Sequence, residues 1–326
     1  MVLKYMNEKG KKFSIVIPVA PERGAEILRS IMKLDYPKEE LQIIVAKGKN
    51  PSENRNKGAE RSKGRFIVFL DDDAVLENDY LKKVEEFFDQ YKDIDIVGGP
   101  QLTPKDDKEF AKISGYALSS KFGAWKTSNR YSSQKIILNA DETMLTSANL
   151  ICKREVLDKV RFDTNLFPGE DPKFISEAKE HKFQVAYSPD IVIYHRRRDS
   201  PGKMFKQIFN YGKTRPLKEN FTQTIKMPFF FIPSIFCVYL VLLLIGILIN
   251  PNISGKVIGA GFKHSNLIIF LPLFLYLFAA LIFAIYDSIH NKDYKAIFVL
   301  PFVYLLIHIS YGSGMIYGYI KKITKK

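Results

Sequence analysis

Residues 64–80 read GRFIVFLDDDAVLENDY, an apolar run that ends in three consecutive carboxylates. The run before the carboxylates is typical of a β-strand that is covered on both faces. Adjacent like charges repel one another, so a positive group is expected among Asp71, Asp72 and Asp73. The stretch therefore predicts a buried strand whose carboxyl end carries a charged site.

Strand and helix patterns alternate through the first 200 residues. The strand-like runs are FSIVIPV (13–19), LQIIVA (41–46), FIVFLDDD (66–73), DIDIVGG (93–99), FQVAYS (183–188) and DIVIYH (190–195). Helical spacing occurs at residues 27–32, 54–64 and 78–92. Such alternation predicts an α/β fold with a mostly parallel, doubly wound, Rossmann-like sheet. Ligands bind at the carboxyl ends of the strands in sheets of this kind, which is where the three carboxylates fall.

The carboxylates can be interpreted as part of a metal site. If the strand continues through Asp73, its alternation places Asp71 and Asp73 on one face and Asp72 on the other. Two carboxylates on one face form half of a site for Mg²⁺ or Mn²⁺, which keeps positions open for phosphate oxygens. The bound cation would then stabilise a departing diphosphate. The alternative is a solvated acidic turn.

Five sequence blocks, which occur in a fixed order along the chain, support the interpretation as a metal site. They are SIVIPV, KGRFIVFLDDDAVL, LTSANLICKREVL, FDTNLFPGEDPKF and YSPDIVIYH. Together they resemble the family 2 glycosyltransferases, inverting enzymes of the GT-A fold, over roughly residues 13–200. The resemblance implies a catalytic domain at residues 1–200, with Asp71, Asp73 and His195 as metal ligands. It also implies that Asp72 reaches the sugar or ribose of the donor. For His195, which lies where many relatives carry a His, contact with the diphosphate or a structural hydrogen bond is the alternative.

The GED motif at residues 169–171 is the second acidic group that the resemblance covers. It implies that Asp171 is the general base and that Glu170 lies on the acceptor side. A base is needed because the acceptor hydroxyl loses a proton as it attacks the anomeric carbon. The alternative is that both acids serve only the N-terminus of a helix.

Donor binding is assigned to two groups of residues. Pro18, Val19 and Glu22 follow from the end of the first strand, and Lys47 and Arg55 from the segment after the second. Many family members carry an Asp-Asp-Gly-Ser turn there, whose Asp binds the base, but this chain reads VAKGKNPSENRNKG. The choice between UDP and GDP therefore stays open, and the basic residues bind the diphosphate or are solvated.

Residues 206–211, KQIFNY, bear on the kind of acceptor. Processive synthases of the family carry Q-x-x-R-W, and Asn210 and Tyr211 replace its Arg and Trp. A processive polymer synthase is therefore disfavoured, while Gln207 is retained as an acceptor-side residue.

The chain becomes strongly apolar after residue 227. Segments 228–250, 266–286 and 296–320 are each long enough to cross ~30 Å of hydrocarbon as a helix. Residues 201–227 form a basic amphipathic segment, which is expected to lie in the membrane interface or to pack on protein. Gly314 and Gly318 make a small-xxx-small pair of the kind that packs one helix on another.

The charges that flank these segments disagree about topology. Lys213, Arg215, Lys218 and Lys226 precede the first segment and predict a cytoplasmic front end. Three full spans would place the terminal KKITKK on the opposite side. Either this tail is an exception or one segment is re-entrant, and the last, with its GSGMIYG glycines, is the candidate.

Composition narrows the partners. Lys and Arg number 49 against 35 Asp and Glu, and the net charge of +14 favours nucleotides, phosphates or acidic lipid surfaces. Cys152 and Cys237 stand far apart, which indicates neither a disulfide framework nor a zinc site. The N-terminus has no apolar run of secretory length, so the front end is expected to stay in the cytoplasm.

The predicted function is a membrane-bound, inverting glycosyltransferase that depends on Mg²⁺ or Mn²⁺. Its partners would be a UDP- or GDP-linked sugar, a lipid-linked or cell-envelope saccharide acceptor and the membrane, but no nucleic acid. A polyprenyl-phosphate sugar synthase and a non-catalytic nucleotide-sugar-binding scaffold are the alternatives. A nucleotidyltransferase would need a Gly-rich, Lys-bearing phosphate loop, and none is evident near the first strand.

Overall fold

The computed structural model describes residues 10–133, 135–218, 221–249 and 264–324. Its described residues form two compact units. The first, here called the sheet unit, draws on Met1–Gly115 and Lys126–Arg197; the second, the helical unit, draws on Tyr116–Trp125 and Arg198–Lys326.

The sheet unit contains a six-stranded sheet and a small three-stranded sheet. Its strands are β1 Phe13–Val19, β2 Leu41–Lys47, β3 Phe66–Leu70, β4 Val75–Leu76, β5 Ile96–Gly98, β6 Gln101–Leu102, β7 Asn149–Lys153, β8 Val185–Tyr187 and β9 Ile193–Tyr194. The large sheet has the order β2-β1-β3-β7-β5-β8 and the small one the order β4-β9-β6. The predicted α/β class with a mostly parallel sheet is confirmed.

Strand β7 departs from the parallel arrangement. It pairs antiparallel with both β3 and β5. Its residues occur in a sequence block that marked the family resemblance, but the alternation of strands and helices did not predict a strand there. Strands β4 and β6 of the small sheet were also missed, because two-residue strands are too short to show a pattern of their own. Strand β9 lies within the predicted run at 190–195.

Seven α-helices lie in the described part of the first 200 residues. They are α1 Leu28–Ile31, α2 Pro51–Glu60, α3 Tyr80–Gln90, α4 Glu109–Ser119, α5 Lys121–Ala124, α6 Arg154–Leu157 and α7 Glu170–Glu180. Helix α4 begins in the sheet unit and ends in the helical unit, which also contains α5. Helix α3 buries the apolar residues that its spacing predicts. Helix α1 is a single turn that buries Ile31, while Met32 is exposed.

Five α-helices of the helical unit follow residue 200 in the described part of the chain. They are α8 Pro201–Lys218, α9 Phe221–Thr224, α10 Ile232–Ile249, α11 His264–His290 and α12 Ala296–Thr324. Pro228–Ile249, Ile268–His290 and Ala296–Thr324 are long and apolar enough to cross a membrane. Helix α12 continues through Gly312, Gly314 and Gly318, so no re-entrant turn forms at these glycines.

Glycines bring α8 and α12 into close contact. A Cβ on Gly314 would lie 2.2 Å from the carbonyl oxygen of Phe209, and a Cβ on Gly318 would lie 2.3 Å from that of Lys213. The predicted helix packing of this glycine pair is confirmed. On α8, Met204 is buried and Phe205 is exposed, so the predicted apolar face is only partly covered.

Replacing Gly314 by Ala is expected to destabilise this helix pair by about 1–3 kcal/mol, because the new methyl group meets backbone that cannot move freely. Thermal unfolding of the detergent-purified protein measures the effect. Gly202→Ala on α8 is the control, since its Cβ would meet no described atom within 4 Å. Equal melting temperatures for the two variants would contradict close packing at Gly314.

Candidate active site

The three carboxylates lie in a turn rather than on a strand. Strand β3 ends at Leu70, and the Ala74 amide donates a hydrogen bond to the Asp71 carbonyl at 3.2 Å. The premise that the strand continues through Asp73 is therefore wrong. Asp71 and Asp73 nevertheless both face His195, whose Nε2 is 3.9 Å from Asp71 Oδ2 and 3.1 Å from Asp73 Oδ1.

Arg23 supplies a positive charge to this turn. Its Nη2 atom lies 3.1 Å from Asp72 Oδ1 and 2.8 Å from Asp73 Oδ2. The expectation of a positive group among the three carboxylates is thus met. Glu22 was predicted at this place instead, although the neighbouring Arg23 follows the first strand closely enough to reach the same edge of the sheet.

The two carboxylates that Arg23 contacts differ in their pKa values. Burial raises the pKa of Asp72 to about 6, against the opposing charge of Arg23. Burial acts the same way on Asp73, but the hydrogen bonds and charges of His195 and Arg23 outweigh it and bring that pKa below its usual range. Asp73 is therefore ionised at neutral pH.

Arg55 joins this turn to the second acidic motif. Its side chain is buried, with Nη2 3.2 Å from Asp71 Oδ1 and Nη1 2.9 Å from Glu170 Oε1. The guanidinium carbon also lies 5.5 Å from the centroid of the Phe162 ring. Arg55 was predicted to bind the donor; in the structure it is held between two carboxylates that are far apart in the sequence.

The start of α2 explains how Arg55 is positioned. The Asn50 side chain caps the helix by accepting hydrogen bonds from the amides of Ser52 and Glu53, at 3.0 and 3.3 Å. Pro51 at the first helical position fits this cap because its ring presets the helical φ angle. Arg55 follows one turn later and is directed inward.

The GED motif begins helix α7. Gly169 has φ 120°, a conformation that glycine adopts without strain. Burial, and then the nearby Asp171 charge, raise the pKa of Glu170 above its ordinary value, while Arg55 opposes the shift. Asp171 Oδ1 is buried and has no hydrogen-bond partner among the described residues. Since the Glu170 side chain pairs with Arg55, a purely helix-capping role does not describe this motif.

The other predicted donor residues lie at the ends of β1 and β2. Pro18 and Val19 are buried in β1, and Val19 is paired in register with Lys47. Lys47 and Glu22 are both exposed. The structure therefore brings the two strand ends together at one edge of the sheet.

Gln207, predicted on the acceptor side, belongs to the helical unit. It lies on α8, where its side-chain amide donates a hydrogen bond to the Tyr211 hydroxyl at 3.1 Å.

The donor atoms around His195 are of the kind that Mn²⁺ binds. Two carboxylates and one imidazole are suitable ligand types for this cation. In the structure Asp73 pairs with both His195 and Arg23. Among the described residues, no three His, Cys, Asp or Glu side chains converge on a common metal position. The chemistry of the residues fits a cation, provided that Arg23 gives way at Asp73.

The fold and these acidic groups define a class of protein. A mostly parallel sheet with an acidic turn at its carboxyl edge, and a second carboxylate pair beside it, is the arrangement of a GT-A-type transferase. Residues 3–211 match the family described as "Glycosyltransferase like family 2". The chain belongs to this family, and it is a glycosyltransferase that takes a nucleotide-sugar donor.

Two named proteins are similar to this chain in sequence. One is the dolichyl N-acetyl-alpha-D-glucosaminyl phosphate 3-beta-D-2,3-diacetamido-2,3-dideoxy-beta-D-glucuronosyltransferase of Methanococcus voltae, 26% identical over 310 residues, which cover 82% of this chain and 94% of that protein. The other is the minor teichoic acid biosynthesis protein GgaB of Bacillus subtilis (strain 168), 28% identical over 205 residues. That match covers 59% of this chain and 21% of GgaB.

A solved structure shows the same fold. It is the mannosyltransferase PcManGT from Pyrobaculum calidifontis in complex with GDP-Man and Mn²⁺, with a TM-score of 0.50 and 13% sequence identity. The match covers 98% of this chain and 89% of that one. At this identity the likeness concerns the fold alone.

Proposed function

We propose that this protein is a membrane-bound, inverting glycosyltransferase that depends on a divalent cation and extends a lipid-linked or cell-envelope saccharide. The single observation that carries the proposal is the half-buried Asp171 carboxylate at the start of α7. One of its oxygens has no hydrogen-bond partner among the described residues, and the neighbouring Glu170 is tied through Arg55 to Asp71. A base and a donor-binding turn are thereby connected.

The acidic turn is the donor half of the site. Asp71 and Asp73, with His195, would hold Mg²⁺ or Mn²⁺. When bound, the cation neutralises charge on the diphosphate and makes it a better leaving group. Asp72 would hydrogen-bond the ribose or the sugar, and the exposed Lys47 would attract the phosphates from the end of β2.

The proton transfer belongs to Asp171. As the acceptor hydroxyl attacks the anomeric carbon, its proton passes to the Asp171 carboxylate. The bond from the anomeric carbon to the diphosphate oxygen breaks on the opposite face, so the configuration at that carbon is inverted. General-base catalysis of this kind contributes about 10²–10⁴-fold to the rate.

Arg55 and Glu170 organise the site between the two halves. The guanidinium compensates the charges of Asp71 and Glu170, which would otherwise be costly to bury. Its placement keeps the acidic turn and the start of α7 at a fixed separation, which orients the base toward the donor.

The acceptor and the location are supported by relatives and by composition. One relative is named as acting on a dolichyl-linked sugar phosphate and the other as a teichoic acid biosynthesis protein. Helices long and apolar enough to span a membrane would bring the chain to such an acceptor. A multi-pass protein in the cell membrane, with its catalytic unit in the cytoplasm, is the proposed arrangement.

A transfer assay tests this function. The full-length protein in nanodiscs is mixed with UDP- and GDP-linked sugars, Mn²⁺ and lipid-linked saccharides, and release of the nucleoside diphosphate is measured. The expected result is release that requires the acceptor and stops with EDTA. Product from a bare polyprenyl phosphate would identify the alternative synthase. Nucleotide binding without turnover of any donor would favour the scaffold and contradict the proposal.

A further inference from the structure

The burial of α10 and α11 is concentrated at one end of the pair. The ring centroids of Phe236 and Tyr276 lie 4.3 Å apart in a stacked pair, and the Tyr239 hydroxyl donates to the Ile269 carbonyl at 2.9 Å. Because the residue numbers rise along α10 while they fall along α11, the two helices are antiparallel. Within α10, whose residues are all described, the buried residue is Cys237, near its start. In α11 the buried side chains are those of Ala280, Ala284, Asp287 and Ser288, near its end.

Helix α12 provides contacts at this end of the pair. Near its start, the Tyr304 hydroxyl donates to Asp287 of α11. One turn later, His308 Nδ1 lies 2.9 Å from the hydroxyl of Tyr276. Tyr304 of α12 therefore contacts α11 near its end, and His308 contacts it near its middle.

The following turn of α12 meets α10. The Cys237 thiol lies 3.7 Å from the Ile309 carbonyl, and the Ser234 hydroxyl donates to the Gly312 carbonyl at 3.2 Å. Both α10 residues belong to its first two turns. Helix α12 therefore passes from the end of α11 to the start of α10.

The last third of α12 runs beside α8. Gly314 approaches Phe209, Gly318 approaches Lys213, and the Lys322 side chain donates to the Pro216 carbonyl. The residue numbers rise together along the two helices, so α8 and α12 are parallel neighbours. Helix α8 immediately precedes the first apolar segment, on the side where that segment begins.

The far ends of α10 and α11 are exposed. Cys237 and Ile249 are separated by about 18 Å of helix. Ile249 has 79% and Ile268 has 70% of its surface exposed. A helix of 29 residues is about 43 Å long, enough to follow α10 to its far end. Instead, α12 contacts the end and the middle of α11, the first two turns of α10 and then α8.

We propose that α12 is not a third span but lies in the boundary between headgroups and acyl chains, beside α8, in the leaflet where α10 begins and α11 ends. Helices α10 and α11 would cross the membrane as a hairpin. The proposal rests on the membrane association in the proposed function and goes beyond it by assigning a lipid-binding surface.

The exposed side chains of α12 fit this partner. They form a stripe of apolar and aromatic residues opposite the buried face: Phe298, Phe302, Tyr317, Ile320 and Ile323. Lys203 and Lys206 of α8 are exposed and would contact anionic headgroups, as in other interfacial helices.

With α12 in the interface, the basic residues before the first apolar segment and those of the terminal KKITKK no longer disagree about topology. With two spans, the terminal KKITKK lies on the same side as the basic residues that precede α10. Both clusters then obey the positive-inside rule, and no exception is needed.

Spin-label depth tests the proposal. Phe302→Cys, Tyr317→Cys and Ile323→Cys, each in a Cys152→Ala, Cys237→Ala background, are labelled in liposomes that contain phosphatidylglycerol. Their immersion is measured from accelerated relaxation by oxygen and by a nickel chelate. Positions 302 and 323 are about 31 Å apart along the helix. The expected result is a similar, shallow depth at all three, whereas Ile232→Cys and Leu242→Cys on α10 differ in depth.

A depth profile in which one α12 position reaches the bilayer centre, or in which its ends lie in opposite leaflets, would overturn the proposal. A second measurement keeps the native cysteines. An epitope is placed after Lys326 in one variant and after residue 255 in another, and both are probed with antibody in sealed vesicles. The two epitopes should be exposed on opposite sides; exposure on one side would contradict the hairpin. Neither readout depends on sugar transfer, so failure here leaves the proposed function standing.

Discussion

Replacing Asp171 by Asn is expected to lower kcat for sugar transfer by about 10³-fold, within the range for loss of a general base. The reason is the free, buried carboxylate oxygen at the start of α7, which an amide cannot replace as a proton acceptor. Donor affinity should change little, because the carboxylates assigned to the donor lie in the turn after β3. Initial rates at saturating donor, together with nucleotide affinity, separate the two effects.

Asp158→Asn is the matched control for this variant. Asp158 is exposed at the end of α6 and belongs to neither acidic motif. It should retain the rate of the unmodified protein. If Asp171→Asn kept more than a tenth of the wild-type kcat, Asp171 would not be the base, and Glu170 would have to be tested in its place.

Replacing Arg55 by Met is expected to cost about 3–5 kcal/mol of stability and most of the activity. Arg55 and Glu170 have buried side chains, and removing one member of a buried ion pair leaves the other charge uncompensated. Chemical denaturation measures the stability, and the transfer assay measures the activity. The double variant Arg55→Met, Glu170→Gln should recover part of the lost stability, because both charges of the pair are then absent.

Lys57→Met provides the comparison on the same helix. Lys57 forms an exposed pair with Glu53, and such pairs contribute little. Similar destabilisation by Arg55→Met and Lys57→Met would contradict the central position of Arg55. So would a double variant less stable than Arg55→Met alone.

The sequence predicts the core of the sheet unit well because its strands are long, apolar runs. The runs at 13–19 and 41–46 become β1 and β2 almost residue for residue. The run at 66–73 ends earlier, at Leu70. Carboxylates favour the turn over a further ladder position, and the local alternation rule carries no information about where a strand stops.

The sequence points to the acidic residues of the candidate site more clearly than to the places of its arginines. Asp71, Asp73 and Asp171 stand out because they belong to recognisable motifs. Arg55 was predicted at the donor site, but its burial between two motifs was not, and Arg23, which pairs with the acidic turn, was not named. Glu170 lies 115 residues beyond Arg55, and only the folded sheet brings them together.

For the apolar helices, too, the sequence predicts some features and not others. Their existence follows from composition, and the Gly314 and Gly318 pair foretells a close helix contact. Which helix they meet depends on tertiary packing. The parallel approach of α8 to α12 is visible only in the structure.

The most direct test of the central claim is calorimetric titration of UDP and GDP into the detergent-purified protein, with and without Mn²⁺. The unmodified protein should bind one of the two nucleotides tightly in the presence of Mn²⁺ and weakly in its absence. Asp73→Asn should lose that metal-dependent gain, because it removes a charged oxygen from the acidic turn. Binding of neither nucleotide, or equal binding by Asp73→Asn with Mn²⁺, would contradict a metal-dependent donor site at the end of β3.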